Sequence, residues 1–277
     1  CLRNQRRRER DSMEMKTLLA LILLCTLSAQ AQLTLRNAAY APLLVPPATG
    51  GGAFTPASLT NLLVWYNINA QSEANGDPIS TFTDQSGNGN HSTGSGGSRP
   101  TMNTTGINGG KTADFDGSDD SVGGSYSGGS NFSAYWLVQL SANLVGGLFD
   151  SAPSAANVFR IMNGGSSEPY TELHAGNPYV TWRATQYSNN PVVVIQMNVI
   201  NVTGTGRYIE VKTNGVIALS GTGTDVAINW SSPRIGNINN GGPYLNAKLR
   251  QFVLTSSTNS VADQDSIVNY LKTEGGL

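Results

Sequence analysis

Apolar and polar residues alternate in several separated runs of this chain. Phe132, Ala134, Trp136, Val138 and Leu140 interleave with Ser133, Tyr135 and Gln139, and Val193, Ile195, Met197 and Val199 interleave with Gln196 and Asn198. Because successive side chains of a strand point to opposite faces, each run predicts a strand with one buried face. Residues 62–68 and 249–255 are further strand candidates. Between residues 207–212 and 216–220 stands Asn214-Gly215, a pair that readily takes the positive φ angles of a type I′ turn, so this stretch predicts a hairpin. Helical spacing occurs at the C-terminal end: Ser260 with Asp263 three residues on makes an N-cap, Ile267, Val268 and Leu271 form an apolar stripe, and Gly275 suits a left-handed stop. Many strands closed by one helix predict an all-β fold of two packed antiparallel sheets.

Composition agrees with a turn-rich chain, since 32 of 277 residues are Gly and 13% are charged. Gly-Ser clusters at 94–98 and 123–130 are spaced as connections between strands, and no repeat of fixed period suggests a propeller or solenoid.

The N-terminal region reads as export machinery. Lys16, the apolar run 18–27 and Ala29-Gln30-Ala31 have the three parts of a secretory signal, which places the signal peptide at 15–31 and the mature start at Gln32. Residues 1–14, with five arginines, read as translation from upstream of the start. The apolar run is much shorter than the roughly 20 residues of a membrane-spanning helix, and no later run replaces it. The expected mature chain has eleven basic and fifteen acidic residues, a net charge of about −4, which argues against a nucleic-acid partner. Cys1 and Cys25 both precede Gln32, so no disulfide is expected. Residues 32–58, rich in Pro, Ala and Gly, read as an extended lead-in to a domain at 59–277.

Two islands combine turn formers with anionic residues: Asp84-Gln-Ser-Gly-Asn-Gly-Asn-His91 and Phe115-Asp-Gly-Ser-Asp-Asp120. With Leu62-Leu-Val-Trp-Tyr66, Arg99-Pro100, Tyr208 ahead of Asn214-Gly215, Arg234-Ile-Gly236 and the closing helix, their order resembles the laminin-G-like branch of the concanavalin A-like lectin/glucanase superfamily. The resemblance implies a jelly-roll sandwich across about 59–277, found in secreted, surface and phage virion proteins, mostly as binding or adhesive modules. It also implies a Ca²⁺ site, since some members of the superfamily bind calcium. Asp84, Asp116, Asp119 and Asp120 are the candidate oxygen ligands, and the alternative is that they accept backbone N–H bonds and hold tight turns.

Sugar binding calls for aromatic faces beside amide and carboxylate groups. Trp182, Tyr187, Trp230 and Tyr244, with Asn189, Asn190, Asn239 and Asn240, are the candidates, while Trp65 and Trp136 read as core. Hydrolysis of glycosides needs two suitably spaced carboxylates, and the Glu-x-Asp-x-x-Glu strand of retaining glucanases in the superfamily is absent. Glu168, Glu172 and Glu210 are isolated, there is no Gly-x-Ser-x-Gly or His-Glu-x-x-His motif, and His91 and His174 are far apart. The expectation is therefore a secreted, non-catalytic module that binds a polysaccharide or surface glycan. The alternatives are a virion or surface structural protein that contacts protein neighbours, and a glycoside hydrolase with a non-standard carboxylate pair.

Overall fold

The computed structural model describes residues 53–141, 146–152, 159–164, 170–175, 180–182, 191–202, 206–223, 228–237 and 244–277. The expected signal peptide and residues 32–52 lie outside them. In chain order the first strands are β1 (Leu62–Asn67), β2 (Thr81–Phe82), β3 (Ser92–Thr93), β4 (Thr101–Asn103), β5 (Thr112–Asp116) and β6 (Val122–Gly124). Then come β7 (Phe132–Leu140), β8 (Gly146–Asp150), β9 (Phe159–Gly164), β10 (Tyr170–Ala175) and β11 (Val180–Trp182). The rest are β12 (Val192–Val202), β13 (Gly206–Thr213), β14 (Val216–Gly223), β15 (Arg234–Ile235), β16 (Asn246–Thr255) and the helix α1 (Val261–Gly275).

These strands form two eight-stranded antiparallel sheets, as the alternating pattern predicts. The first runs β14-β13-β12-β7-β16-β5-β4, with β1 also paired to β16; the second runs β11-β10-β9-β8-β15-β6-β3-β2. The core lies between them, and Phe132, Trp136, Val138, Ile195, Met197 and Phe252 of the first sheet meet Phe82, Val122, Phe149 and Ile235 of the second in one apolar cluster.

One expectation from periodicity needs correction. Strand β7 is buried on both faces, because Tyr135 and Leu137, on the side away from the sandwich, pack under α1 with Val194, Val253, Ile267, Val268 and Leu271. Trp65 belongs to this second cluster and Trp136 to the first. Polar residues under the helix are satisfied in a local network: Gln264 Oε1 accepts from Gln196 Nε2 at 2.7 Å, Asn198 Nδ2 at 3.1 Å and Lys212 Nζ at 3.1 Å. Phe54, which precedes the expected boundary at 59, stacks edge-on against Tyr270, and the compact unit runs Ala53–Leu277.

The local signals hold closely. Asn214 and Gly215 have φ of 52° and 87°, as a type I′ hairpin requires. Ser260 Oγ accepts from Asp263 N at 3.1 Å. The left-handed C-terminal residue is Gly276 (φ 70°), one position later than expected. Gly275 stays helical and sits so close to Leu137 that an added Cβ would come within 2.8 Å of its Cδ1.

Candidate functional site

The two islands fold into turns of different character. In the first, Asp84 Oδ1 accepts from Trp65 N and Ser86 N, both at 2.9 Å, and Oδ2 accepts from Ser86 Oγ at 2.7 Å and Asn90 N at 2.9 Å. Gly87 and Gly89 take positive φ, Asn88 and Asn90 donate to carbonyls of β1, and His91 Nδ1 accepts from Asp84 N at 3.0 Å. The Asp84 carboxylate thus binds β1 to the turn, and its lone pairs are taken by protein donors.

The second island gathers carboxylates instead. Ligand oxygens of Asp116, Asp119 and Asp120 all lie within 4.8 Å of one another, and Asp84 is not part of the group. Asp120 Oδ2 accepts from Asp116 N at 2.9 Å, and Asp116 Oδ1 accepts from Ser118 N at 2.8 Å. Burial, opposed by the Asp116 N–H bond and reinforced by the neighbouring charges of Asp116 and Asp119, pushes the Asp120 carboxyl up to about 6.

A raised carboxyl favours the protonated folded form, so this group's contribution is fully present below about pH 4 and is lost as pH rises through about 6. In chelator, Asp120→Asn, which keeps a carbonyl for Asp116 N, is expected to melt above the parent at pH 8. The gap should close by pH 4. Thermal melts across that range check this, and a variant that melts lower at pH 8 would contradict it.

A cleft of about 460 Å³ opens beside this cluster. Its floor is the face of the second sheet that points away from the core. Val122 and Ile235 are buried inside the sandwich, so Gly123 and Arg234, their neighbours in sequence, face outward. Thr93 pairs with Gly123, and Gly123 pairs with Arg234, so these three form one row across β3, β6 and β15. The row continues in backbone register through Asp150 of β8 to Arg160 of β9.

Three loops wall the cleft. Residues 94–98 and 117–121 are joined by Ser121 N donating to Ser98 O at 3.1 Å and Ser98 Oγ donating to Asp119 Oδ2 at 3.3 Å. Segment 232–237 is held by Gly124 N donating to Pro233 O at 2.9 Å. Asn237 bridges to Tyr244, and both line the cleft with Arg234, Asp119 and Ser121. Asn237 is only 3% exposed, and its Oδ1 has no hydrogen-bond partner among the described residues.

Tyr244 and Asp119 are the sequence-predicted site residues that meet in this cleft. Trp230 does not join them: it packs at 5.1 Å from the Phe132 ring and 6.0 Å from Phe149, and its Nε1 donates to Gly129 O at 2.9 Å. Trp182 closes the edge strand β11 in register with Thr171. Tyr187, Asn189, Asn190, Asn239 and Asn240 lie outside the described residues. Arg234 and Asn237 were missed as site residues. The signal for Arg234 was a charged residue beside Ile235 in a two-residue strand; for Asn237 no local signal exists.

Glu210 lies elsewhere, paired to Lys212 at 2.9 Å and accepting from Asn198 Nδ2 at 3.1 Å on the helix side of the first sheet. Glu168 lies outside the described residues.

No protein-family model and no curated protein matches this chain. Solved structures do share the fold. Domain 4 of AbnA, an extracellular GH43 arabinanase from Geobacillus stearothermophilus, in complex with arabinotriose, aligns at TM-score 0.56 with 18% identity over 76% of this chain and 98% of that one. The binding domain of Paraclostridial Mosquitocidal Protein 1 aligns at TM-score 0.54 with 13% identity over 79% of this chain and 53% of that one. A botulinum neurotoxin type C structure, described by cell entry that depends on interaction with two ganglioside molecules, aligns at TM-score 0.52 with 15% identity over 76% and 51%. The chain thus spans about half the length of the toxin chains and nearly all of the arabinanase domain, and what it shares with all three is the β-sandwich.

Proposed function

We propose that this chain is an exported, non-catalytic carbohydrate-binding module whose sugar site is the cleft on the outer face of the second sheet. The observation that carries this reading is the meeting of Arg234, Asp119, Asn237 and Tyr244 around one open cleft. A sugar ring offers hydroxyls that both donate and accept, and C–H faces that pack on aromatic rings; a guanidinium donor, carboxylate and amide acceptors and a tyrosine match both demands. Two of the similar structures support the ligand class, since one holds arabinotriose and another is described by its ganglioside interaction. Among the described residues Asp119 is the one carboxylate lining the cleft, whereas glycoside hydrolysis takes a pair flanking the bond. Binding without turnover is therefore the proposed role. No helix among the described residues is long and apolar enough to cross a membrane.

The expected calcium ion fits three of its four candidate ligands. Asp116, Asp119 and Asp120 concentrate negative charge that a hard cation would relieve, while Asp84 is committed to its turn. Bound there, the ion would hold the 117–121 loop beside the cleft.

The test is a glycan array followed by titration calorimetry on the best hit, in calcium and in chelator. Retention of one or more glycans is expected, with no reducing ends released. Tyr244→Ala is expected to weaken affinity about tenfold, as loss of an aromatic platform worth roughly 1.4 kcal/mol would. Silence on every glycan in both buffers would refute the reading. A melting temperature unmoved by calcium would remove the ion from it.

A further inference from the structure

Arg234 differs from several other basic side chains of the domain. Lys212 pairs with Glu210, Lys248 with Asp114 and Arg250 with Glu274, and Arg99 Nε donates to the Gly96 carbonyl. Arg234 is half-buried in the cleft and has neither an ion pair nor a hydrogen bond among the described residues. Its stem crosses the floor at Gly123, where a Cβ would lie 3.5 Å from its Cγ and 3.8 Å from its Nε. The carboxylates nearby are turned to other tasks. Asp119 leans toward the 94–98 loop, with its Oδ2 bonded to Ser98 Oγ and 3.9 Å from the Cβ position of Gly97. Asp150, directly across from Arg234 in register, is fully buried and accepts from Ala152 N at 3.0 Å.

Among the described residues the cleft therefore holds a guanidinium without a counter-ion, one carboxylate, Asp119, and a buried carbonyl, Asn237 Oδ1, that lacks a donor. A guanidinium stays charged at every working pH and offers a planar fork of N–H donors that matches a carboxylate in two parallel bonds. A neutral sugar would leave that fork only partly used. We infer that the cleft is selective for a sugar bearing a carboxylate, a uronic or sialic acid residue, whose acid group pairs with Arg234 while its hydroxyl or acylamino N–H donors reach Asn237 Oδ1 and Asp119. This inference rests on the carbohydrate-binding reading and names the ligand class of the same site.

The experiment compares matched pairs by calorimetry on the full chain. The probes are oligogalacturonides, glucuronate oligosaccharides and sialyllactose, each against its carboxyl-reduced counterpart. At least one acidic probe is expected to bind about tenfold or more tighter than its reduced form, the scale of one charge-assisted bidentate contact. Arg234→Gln should abolish that preference, weakening the acidic probe about tenfold more than its reduced form, and Arg234→Lys should restore part of it as a point charge. Near-UV circular dichroism verifies that each variant is folded. Equal affinity for acidic and reduced partners, or binding confined to neutral glycans, would overturn the acid selectivity and leave the carbohydrate site standing. A preference that survives in Arg234→Gln would overturn the role of Arg234. Failure of every acidic and neutral glycan to bind would overturn both.

Discussion

Phe252→Ala is expected to destabilise the fold by about 4 kcal/mol, a large share of the roughly 5–15 kcal/mol by which domains are stable. Phe252 is fully buried on β16, and its ring centroid lies 5.8 Å from Tyr66, 5.4 Å from Trp136 and 5.7 Å from Phe149. The Phe149 contact is stacked, with the planes 24° apart, and it crosses from the first sheet to the second. Truncation therefore removes buried apolar area and opens a void where the two layers meet, and the aromatic neighbours lose their specific ring contacts. For a domain of this size the melting temperature should fall by on the order of 10 °C. Urea unfolding measures the change. A loss below about 1 kcal/mol would show that the sheets close over the void and that the inter-sheet packing is far looser than these ring distances require.

Asp84→Ala should cost about 3–5 kcal/mol, because it strands one buried and three part-buried donors at once and each hydrogen bond to a charged group contributes roughly 1.5–3 kcal/mol without simple additivity. Asp84 is 7% exposed, and it accepts from the amides of Trp65 and Asn90. Asp84→Asn keeps one acceptor oxygen but points an NH₂ group at a donor, so it should cost less, about 2 kcal/mol. Hydrogen exchange supplies the local readout: the Trp65 and Asn90 amides should lose protection in the alanine variant. Calcium separates the turn from a metal site. The loss should be the same in calcium and in chelator, because the carboxylate answers to protein donors. A loss seen only when calcium is present would return Asp84 to the list of ion ligands.

Both predictions concern the scaffold, yet each bears on the cleft. Phe149 and Phe252 set the spacing of the sheets, and β15, which carries Arg234, pairs with β8 next to Phe149 through Ile235. Asp84 fixes the first island to β1, and Tyr66 of the same strand reaches Ser92 of β3 at 2.7 Å, one residue before Thr93 on the cleft floor. Variants of Arg234 or Tyr244 act instead on groups that line open space. They should alter binding with little change in stability, and this contrast helps to separate a binding defect from a folding defect.

Alternation at 132–140 and 193–199, Asn214-Gly215 and the Ser260 cap were sufficient to state an antiparallel sandwich with a closing helix, because strand faces, tight turns and helix ends are decided by neighbours in the chain. Tertiary structure alone decided the rest. It buried the second face of β7 by laying α1 across it, and it kept Gly275 helical against Leu137 so that Gly276 makes the turn. It sorted the acidic residues, giving Asp84 to its turn and bringing Asp116, Asp119 and Asp120 together. It also drew the cleft from β3, β6 and β15, which are separated by up to 140 residues in sequence, so that Arg234 and Asn237 matter because of what faces them across the sheet. A periodicity can report that a residue faces outward; whether a partner waits there depends on contacts between distant segments, and those exist only once the two sheets have closed.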